Sequence, residues 1–318
     1  MSKILFIIIG FVILIKGSDL MVKAAISIAK KFGLSEMVIG LTILAVGTSL
    51  PEIFITVTSV MDGHFDLIIG NSIGSCICNF LFVIGLTSLV RPVKFDKRIV
   101  KRHLPISIVA MLILLLFGNS NLDYVITKSE GILLILFTLA YIIYSIYEEK
   151  KIYNEKINKE IIESVETREI YPIITIIIYI ILGILGLKFG ADFVVDNSVK
   201  IASSLGLSEK FIGMTLVAVG TALPEIITSI ISVRKDETDL LLGNISGSNI
   251  INLCLLIGLG AVITPLKYSI SFNSSIFFLI AVTIILQVIA TINHKSEIDR
   301  KRGAALILIY FIYVLVMI

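Results

Sequence analysis

Ten apolar segments, each near the length that crosses a bilayer, constrain this chain more than any other feature. A spanning helix needs about 20 mostly apolar residues. The segments lie near residues 4–29, 36–61, 67–90, 104–118, 130–147, 171–202, 209–233, 239–263, 274–292 and 303–318. Hydrophobic residues make up 57% of the 318 residues and charged residues only 16%, which is too apolar for a soluble domain. We therefore predict an all-α integral membrane protein with ten transmembrane helices.

An internal repeat divides the chain into two halves. Residues 17–92 align with residues 190–265 at a constant offset of 173 without a gap, and 34 of the 76 aligned pairs are identical. Each half holds five predicted helices, and an odd number inserts the second copy into the membrane in the opposite orientation. We predict inverted five-helix repeats over residues 1–147 and 171–318, joined by a linker over residues 148–170.

Loop charge predicts the orientation of these helices in the cell membrane. Lysine and arginine accumulate in the short loops on the cytoplasmic side. If the N-terminus is outside, nineteen of these residues fall in inside loops, within residues 30–31, 91–102, 150–168, 234–235 and 295–302, and only four in outside segments. Both termini are therefore predicted to be extracellular, and the linker to be cytoplasmic.

The first signature of each half places a glutamate deep inside an apolar segment. The sequence GTSLPE ends at Glu52, and its repeat GTALPE ends at Glu225. An ionisable side chain at this depth costs at least a few kcal/mol and indicates function. The preceding prolines, Pro51 and Pro224, lack an N–H and are expected to kink their helices.

The kinks are expected to free backbone carbonyls one turn earlier, near Ala45 and Val46 and near Ala218 and Val219. Together with the hydroxyls of Thr48 and Thr221 and the two carboxylates, these carbonyls form a site that contains only oxygen ligands. Calcium takes six to eight oxygen ligands in flexible geometry. The first signature therefore predicts a site for a hard cation near the middle of the bilayer.

The second signature is GNSIGSCICN over residues 70–79, repeated as GNISGSNIIN over residues 243–252. Its glycines favour close helix packing. The serine and final asparagine are four residues apart, which places them on one helical face. We interpret both pairs as further ligands, since buried hydroxyls and amides need polar partners. The pairs are Ser75 with Asn79 and Ser248 with Asn252.

Soft-metal chemistry and disulfide bonding are not favoured by the sequence. Histidine or thiolate would be needed for zinc or copper, but the three histidines fall in predicted loops. Cys76 and Cys78 lie on different faces of a helix, and a total of three cysteines offers no disulfide framework. No cofactor is expected, and the predicted ligands are transported ions.

The motifs, in this order and spacing, closely resemble the alpha repeats of the sodium/calcium exchanger family, within the calcium/cation antiporter superfamily, and most of the chain shares the likeness. The resemblance implies that Glu52 and Glu225 bind calcium and sodium alternately. It also implies that the hydroxyls of Thr48 and Thr221 bind calcium. The sodium ligands on either side would be the Ala45 and Ala218 carbonyls with Ser49, Ser75 and Ser248. The amides of Asn79 and Asn252 would lie in the middle of the cluster.

Three positions depart from the family pattern. Ala222 replaces the serine that would match Ser49, so one hydroxyl is missing. Asn252 is an amide where many relatives carry aspartate, which leaves two carboxylates and argues against potassium cotransport. Cys76 stands where asparagine or serine is usual, whereas its partner Asn249 fits the pattern.

The sequence thus predicts a secondary antiporter, not an enzyme, that exchanges sodium for calcium by alternating access. One calcium ion would neutralise the two carboxylates, and three sodium ions would leave the site at +1. Alternatives are a cation/proton antiporter of the same fold, a membrane hydrolase using the carboxylates as acid and base, and a passive channel. The chain is expected to lie in the lipid bilayer and to bind no nucleic acid. The sequence is compatible with a monomer.

Overall fold

The computed structural model describes residues 2–120, 122–157, 171–204, 218–292 and 297–317, which are almost entirely helical. The helices are α1 (Ser2–Phe32), α2 (Glu36–Thr48), α3 (Leu50–Met61), α4 (Phe65–Val90), α5 (Ile99–Gly118), α6 (Lys128–Ile157), α7 (Ile173–Ser204), α8 (Ala218–Thr221), α9 (Leu223–Arg234), α10 (Thr238–Ile263), α11 (Phe272–Ile292) and α12 (Arg300–Met317). The strands are β1 (Val93–Lys94), β2 (Val125–Ile126), β3 (Leu266–Lys267) and β4 (Glu297–Ile298).

Seven helices in the described part of the chain are long and apolar enough to cross a membrane: α1, α4, α5, α6, α7, α10 and α11. Helices α2 and α3 form an eighth span that bends by 47°, which confirms the kink predicted at Pro51. The predicted segment 209–233 begins outside the described residues, and α12 starts with three basic residues that lower its hydropathy. The structure therefore confirms an all-α membrane protein and leaves the count of ten as a prediction.

Two helices extend beyond their predicted limits. Helix α5 begins at Ile99, five residues before the predicted start, because Lys101 and Arg102 hide its first turns from a hydropathy pattern. Helix α6 continues to Ile157, which takes it into the segment 148–170 predicted as a linker. The rest of that segment, residues 158–170, lies outside the described residues.

The sequence repeat is also a repeat of backbone conformation. Helices α3 and α9 begin and end at positions 173 apart, and so do α4 and α10. Each of the latter pair contains a π-helical segment at matching positions, Cys78–Val83 and Ile251–Leu256. Single-turn π segments are rare and frequently mark functional sites, and the hydrophobic pattern did not predict them.

Helices α4 and α10 form the centre of the protein. The most apolar stretches of these helices are 72% and 83% buried, whereas those of α1 and α7 are 28% and 22% buried. Helices α1 and α7 therefore lie at the periphery, where their apolar side chains face the bilayer. The two signatures of each half are carried by the kinked helices and by the central ones.

Helices α2 and α10 approach closely because two glycines of α10 leave room for backbone. A Cβ atom at Gly243 would collide with the carbonyl oxygen of Met37, and one at Gly247 with that of Leu41. The Cβ atom added at Gly247 would also lie 2.8 Å from the Cβ of Ala45. This contact holds the first glutamate motif directly against the second copy of the GN motif.

The peripheral helices pack on each other and are attached to α9. A Cβ atom added at Gly17 would lie 2.9 Å from the Cα of Gly186, so α1 and α7 cross in close contact. The Ser18 hydroxyl donates a hydrogen bond to Thr228 Oγ1 at 2.8 Å. Beyond α9, Lys235 Nζ donates to Asp19 Oδ1 at 2.6 Å. These polar contacts fix α1 against the helix that carries Glu225.

Two short antiparallel ribbons join the halves of the chain. Strand β1 pairs with β4, with Val93 opposite Ile298, and β2 pairs with β3, with Ile126 opposite Leu266. Each ribbon therefore takes one strand from residues 1–147 and one from residues 171–318.

Candidate cation-binding site

Each motif glutamate is the third residue of a helix that starts at a break in the chain. The break before Glu52 falls at Ser49, with φ −84° and ψ 7°, and the break before Glu225 falls at Ala222, with φ −83° and ψ −1°. Proline is tolerated in a first helical turn because its missing N–H has no partner there. The helix N-terminus also carries a partial positive charge that favours a nearby carboxylate.

Both glutamates are buried without a counter-charge from the protein. Each side chain is only 1% exposed. One oxygen of Glu52 and both oxygens of Glu225 lack a hydrogen-bond partner among the described residues, and no ion pair found in that part of the chain involves either. An isolated buried carboxylate costs several kcal/mol. The two carboxylates therefore need bound cations or protons to balance their negative charge.

The Thr48 hydroxyl connects the first glutamate motif to α10. It lies 3.2 Å from Asn244 Oδ1, 3.4 Å from Ser248 Oγ and 3.3 Å from the Ala45 carbonyl oxygen. Since the hydroxyl has a single proton, it donates to only one of these oxygens at a time. Thr48, Asn244 and Ser248 thus form an oxygen-rich cluster between the two motifs.

The kink does not free the Ala45 carbonyl, contrary to the prediction from the sequence. It accepts the backbone N–H of Ser49 at 3.0 Å, because the helix continues through one more turn before it breaks. The carbonyl that Pro51 leaves without an α-helical donor is that of Gly47, four residues earlier. A carbonyl oxygen has two lone pairs, and the Thr48 hydroxyl lies 3.3 Å from this oxygen, so the second lone pair is available to a cation when Thr48 donates to Asn244 or Ser248 instead.

The second motif contributes a pair of amides whose surroundings differ. Asn79 Nδ2 donates to Asn249 Oδ1 at 3.0 Å, and Asn79 Oδ1 has no partner among the described residues. Both polar atoms of Asn252 lack a partner in that part of the chain. Asn79 and Asn252 each lie in a π-helical segment, so simple α-helical spacing does not define which face they occupy.

Most of the predicted site residues are buried in the interior of the protein. The structure places nine of them there: Ala45, Thr48, Ser49, Glu52, Ser75, Asn79, Glu225, Ser248 and Asn252. Thr221 is partly buried at the end of α8, and Ala218 begins that helix. Among these residues, Thr48 contacts Ala45 and Ser248.

Sequence reasoning missed several polar residues that surround the site. Asn244 and Asn249 are fully buried, and each contacts a predicted ligand, Thr48 and Asn79 respectively. Three hydroxyls, of Thr56, Ser229 and Ser232, are buried and lack partners among the described residues. They follow the glutamates at spacings of four or seven residues, which puts them on the same helical face as the glutamates. This spacing could have identified them from the sequence.

The donor set suits a hard cation. The buried groups that surround the carboxylates are hydroxyls, amides and backbone carbonyls, all of which offer oxygen, as sodium and calcium sites require. Within the described residues, no three histidine, cysteine or acidic side chains cluster to hold a metal. His103 is buried, contrary to its predicted loop position, and lies 2.9 Å from the Tyr141 hydroxyl.

Comparison with known proteins identifies the family. The family model described as "Sodium/calcium exchanger protein" matches residues 2–147 and 175–318. The chain belongs to this family. Its members are transporters, so the chain is a membrane antiporter and not an enzyme.

Relatives of similar length support this assignment. The sodium/calcium exchanger MaX1 of Methanosarcina acetivorans is 31% identical over 355 residues, which covers 98% of this chain and 97% of MaX1. The inner membrane protein YrbG of Escherichia coli is 30% identical, with coverage of 81% and 79%. A solved structure of the sodium-calcium exchanger NCX_Mj, soaked with zero Na⁺ and Ca²⁺, superposes with a TM-score of 0.81 at 29% identity and covers 98% of both chains.

Proposed function

We propose that this exchanger moves sodium and calcium in opposite directions across the cell membrane, by alternating access to one site around Glu52 and Glu225. The observation that carries this proposal is the pair of buried carboxylates that lack charge partners among the described residues. One calcium ion would neutralise them, and three sodium ions would leave the site at +1. A protein that changes its open face only when the site is filled performs exchange.

The proposed ligands are those implied by the family resemblance. Glu52, Glu225, Thr48 and Thr221 bind calcium. The Ala45 and Ala218 carbonyls with Ser49, Ser75 and Ser248 complete the sodium positions, and Asn79 and Asn252 lie in the middle of the cluster. The architecture proposed for this function is ten transmembrane helices in two inverted five-helix repeats, with extracellular termini and a cytoplasmic linker. The recurrence of helix limits and π segments at an offset of 173 supports two equivalent halves, and the loop charges support the orientation.

A flux experiment tests the exchange. Purified protein in sealed proteoliposomes loaded with sodium is diluted into sodium-free medium that contains radioactive calcium, and we expect calcium uptake that stops when the sodium gradient is removed. Liposomes without protein are the control. Uptake driven by a pH gradient and indifferent to sodium would show a cation/proton antiporter instead.

The same vesicles report the number of ions exchanged. If three sodium ions exchange for one calcium ion, each cycle moves one net charge, and an imposed potential contributes about 2.3 kcal/mol per 100 mV. We therefore expect potassium with valinomycin to change the uptake rate according to the sign of the potential. A rate that ignores the potential would indicate exchange of two sodium ions per calcium ion.

Ala222 offers a test of the sodium positions. It is buried at the break before Glu225 and occupies the repeat position of Ser49, whose buried hydroxyl lacks a partner among the described residues. We expect Ala222→Ser to supply a sodium ligand worth about 1 kcal/mol, which lowers the sodium concentration that half-inhibits calcium uptake about fivefold. Ser49→Ala, the matched change in the other half, should raise that concentration, and an unchanged value in both variants would contradict this assignment.

A further inference from the structure

The contact between Asn79 and Asn249 joins the two copies of the second motif. Asn79 lies in the π-helical segment of α4, and Asn249 lies in α10 two residues before the corresponding segment begins. Their side chains are 2% and 0% exposed, and Asn79 Nδ2 donates to Asn249 Oδ1 at 3.0 Å. Asn249 is not among the ligands that the sequence predicts.

In this structure the hydrogen bond uses the nitrogen end of the Asn79 amide, and Asn249 Nδ2 lacks a partner among the described residues. A carboxamide has an acceptor end and a donor end of nearly equal size, and only the oxygen end can bind a cation. With Nδ2 held by Asn249, Asn79 Oδ1 is the polar atom left without a partner among the described residues. The reversed amide would present two N–H groups to a cation, which repel it.

The corresponding position in the other half cannot provide this orientation. The repeat partner of Asn249 is Cys76, whose thiol donates weakly to the Asn249 carbonyl oxygen at 3.5 Å. The repeat partner of Asn79 is Asn252, and both of its polar atoms lack partners in the described part of the chain. The two symmetry-related amides therefore differ, since Asn79 donates to the side chain of a neighbouring asparagine and Asn252 makes no contact of this kind within the described residues.

We propose that Asn249 is a positioning residue, which fixes the Asn79 amide with its oxygen towards the transported cation and leaves Asn252 as the amide that reorients. This inference rests on the proposed cation site. Hydrogen-bond partners that orient metal ligands typically change metal affinity 10- to 100-fold when they are removed. We expect Asn249→Ala to weaken apparent calcium affinity about tenfold, with a smaller effect on the maximal rate of uptake.

A double-mutant cycle separates positioning from packing. In the Asn79→Asp variant both ends of the side chain accept hydrogen bonds, so no orientation has to be selected. Asn249→Ala should therefore weaken calcium affinity about tenfold when Asn79 is kept, and less than about threefold when it is combined with Asn79→Asp. Cys76→Ala, the matched change at the repeat position, should leave calcium affinity unchanged because the thiol contacts backbone and not an amide side chain.

Two readouts are measured for each variant: the calcium concentration that gives half-maximal uptake, and the calcium-induced rise in melting temperature of the purified protein. A loss of calcium affinity only in the protein that keeps Asn79 supports the proposal. An equal loss with and without Asn79→Asp, or no loss in either case, overturns the positioning role while the cation site stands. If variants at Glu52 and Glu225 exchange calcium normally, it is the proposed function that fails.

Discussion

Replacing Glu52 or Glu225 by glutamine is expected to abolish sodium-driven calcium uptake. Each substitution keeps the shape of the side chain but removes one of the two buried negative charges. A unit charge about 4 Å from another contributes about 4 kcal/mol at an effective dielectric constant of 20, and this corresponds to about a 1,000-fold loss of affinity. A divalent ion is affected more strongly than a monovalent one, so calcium binding should fail before sodium binding.

The measurement is initial calcium uptake in proteoliposomes, with equal amounts of folded protein confirmed by size-exclusion chromatography. Glu148→Gln is a matched control, since Glu148 pairs with Arg102 away from the site. It should exchange calcium at the rate of the unmodified protein. Normal exchange by either site variant would rule out the paired-carboxylate site.

The second large effect is expected from Gly247→Ala in the central helix. The added methyl group would collide with the Leu41 carbonyl and press on the Ala45 side chain, so α2 has to move away from α10. Overpacking of this kind costs about 1–3 kcal/mol. The movement also displaces Thr48 from Asn244 and Ser248, and calcium uptake should fall at least tenfold.

Gly74 is the repeat partner of Gly247 and provides the control. A Cβ atom added there meets no atom within 4 Å in the part of the chain that the structure describes. Gly74→Ala should therefore keep a melting temperature and an uptake rate close to those of the unmodified protein. If the two variants lose stability and transport equally, the close approach of α2 to α10 does not hold the site together.

The sequence predicted the features that depend on neighbouring residues in the chain or on the internal repeat. Runs of apolar residues predicted the spanning helices, Pro51 predicted the kink before Glu52, and a gapless repeat predicted that Glu225 lies in the same environment. Each of these conclusions depends on neighbours along the chain or on the offset of 173, and both can be read without a structure. The family resemblance added the roles of individual ligands, which remain proposals.

The features that the sequence did not predict depend on contacts between distant helices. The pairing of Asn79 with Asn249 requires two side chains 170 positions apart to meet, and no pattern within either motif selects this partner. The π-helical segments change which residues face the site, although their residues are compatible with an ordinary α-helix. The start of α5 was misplaced because basic residues near a membrane surface lower hydropathy without ending a helix.

The ribbons β1–β4 and β2–β3 make each half depend on the other for backbone hydrogen bonds. Each ribbon satisfies backbone N–H and C=O groups of one half with groups of the other, so neither half completes its own hydrogen bonding. Such an exchange of strands is what two copies of a single ancestral unit would make when they associate as a dimer. Fusing the copies into one chain preserves every one of these pairings while allowing the two sequences to diverge, as Cys76 and Asn249 have done.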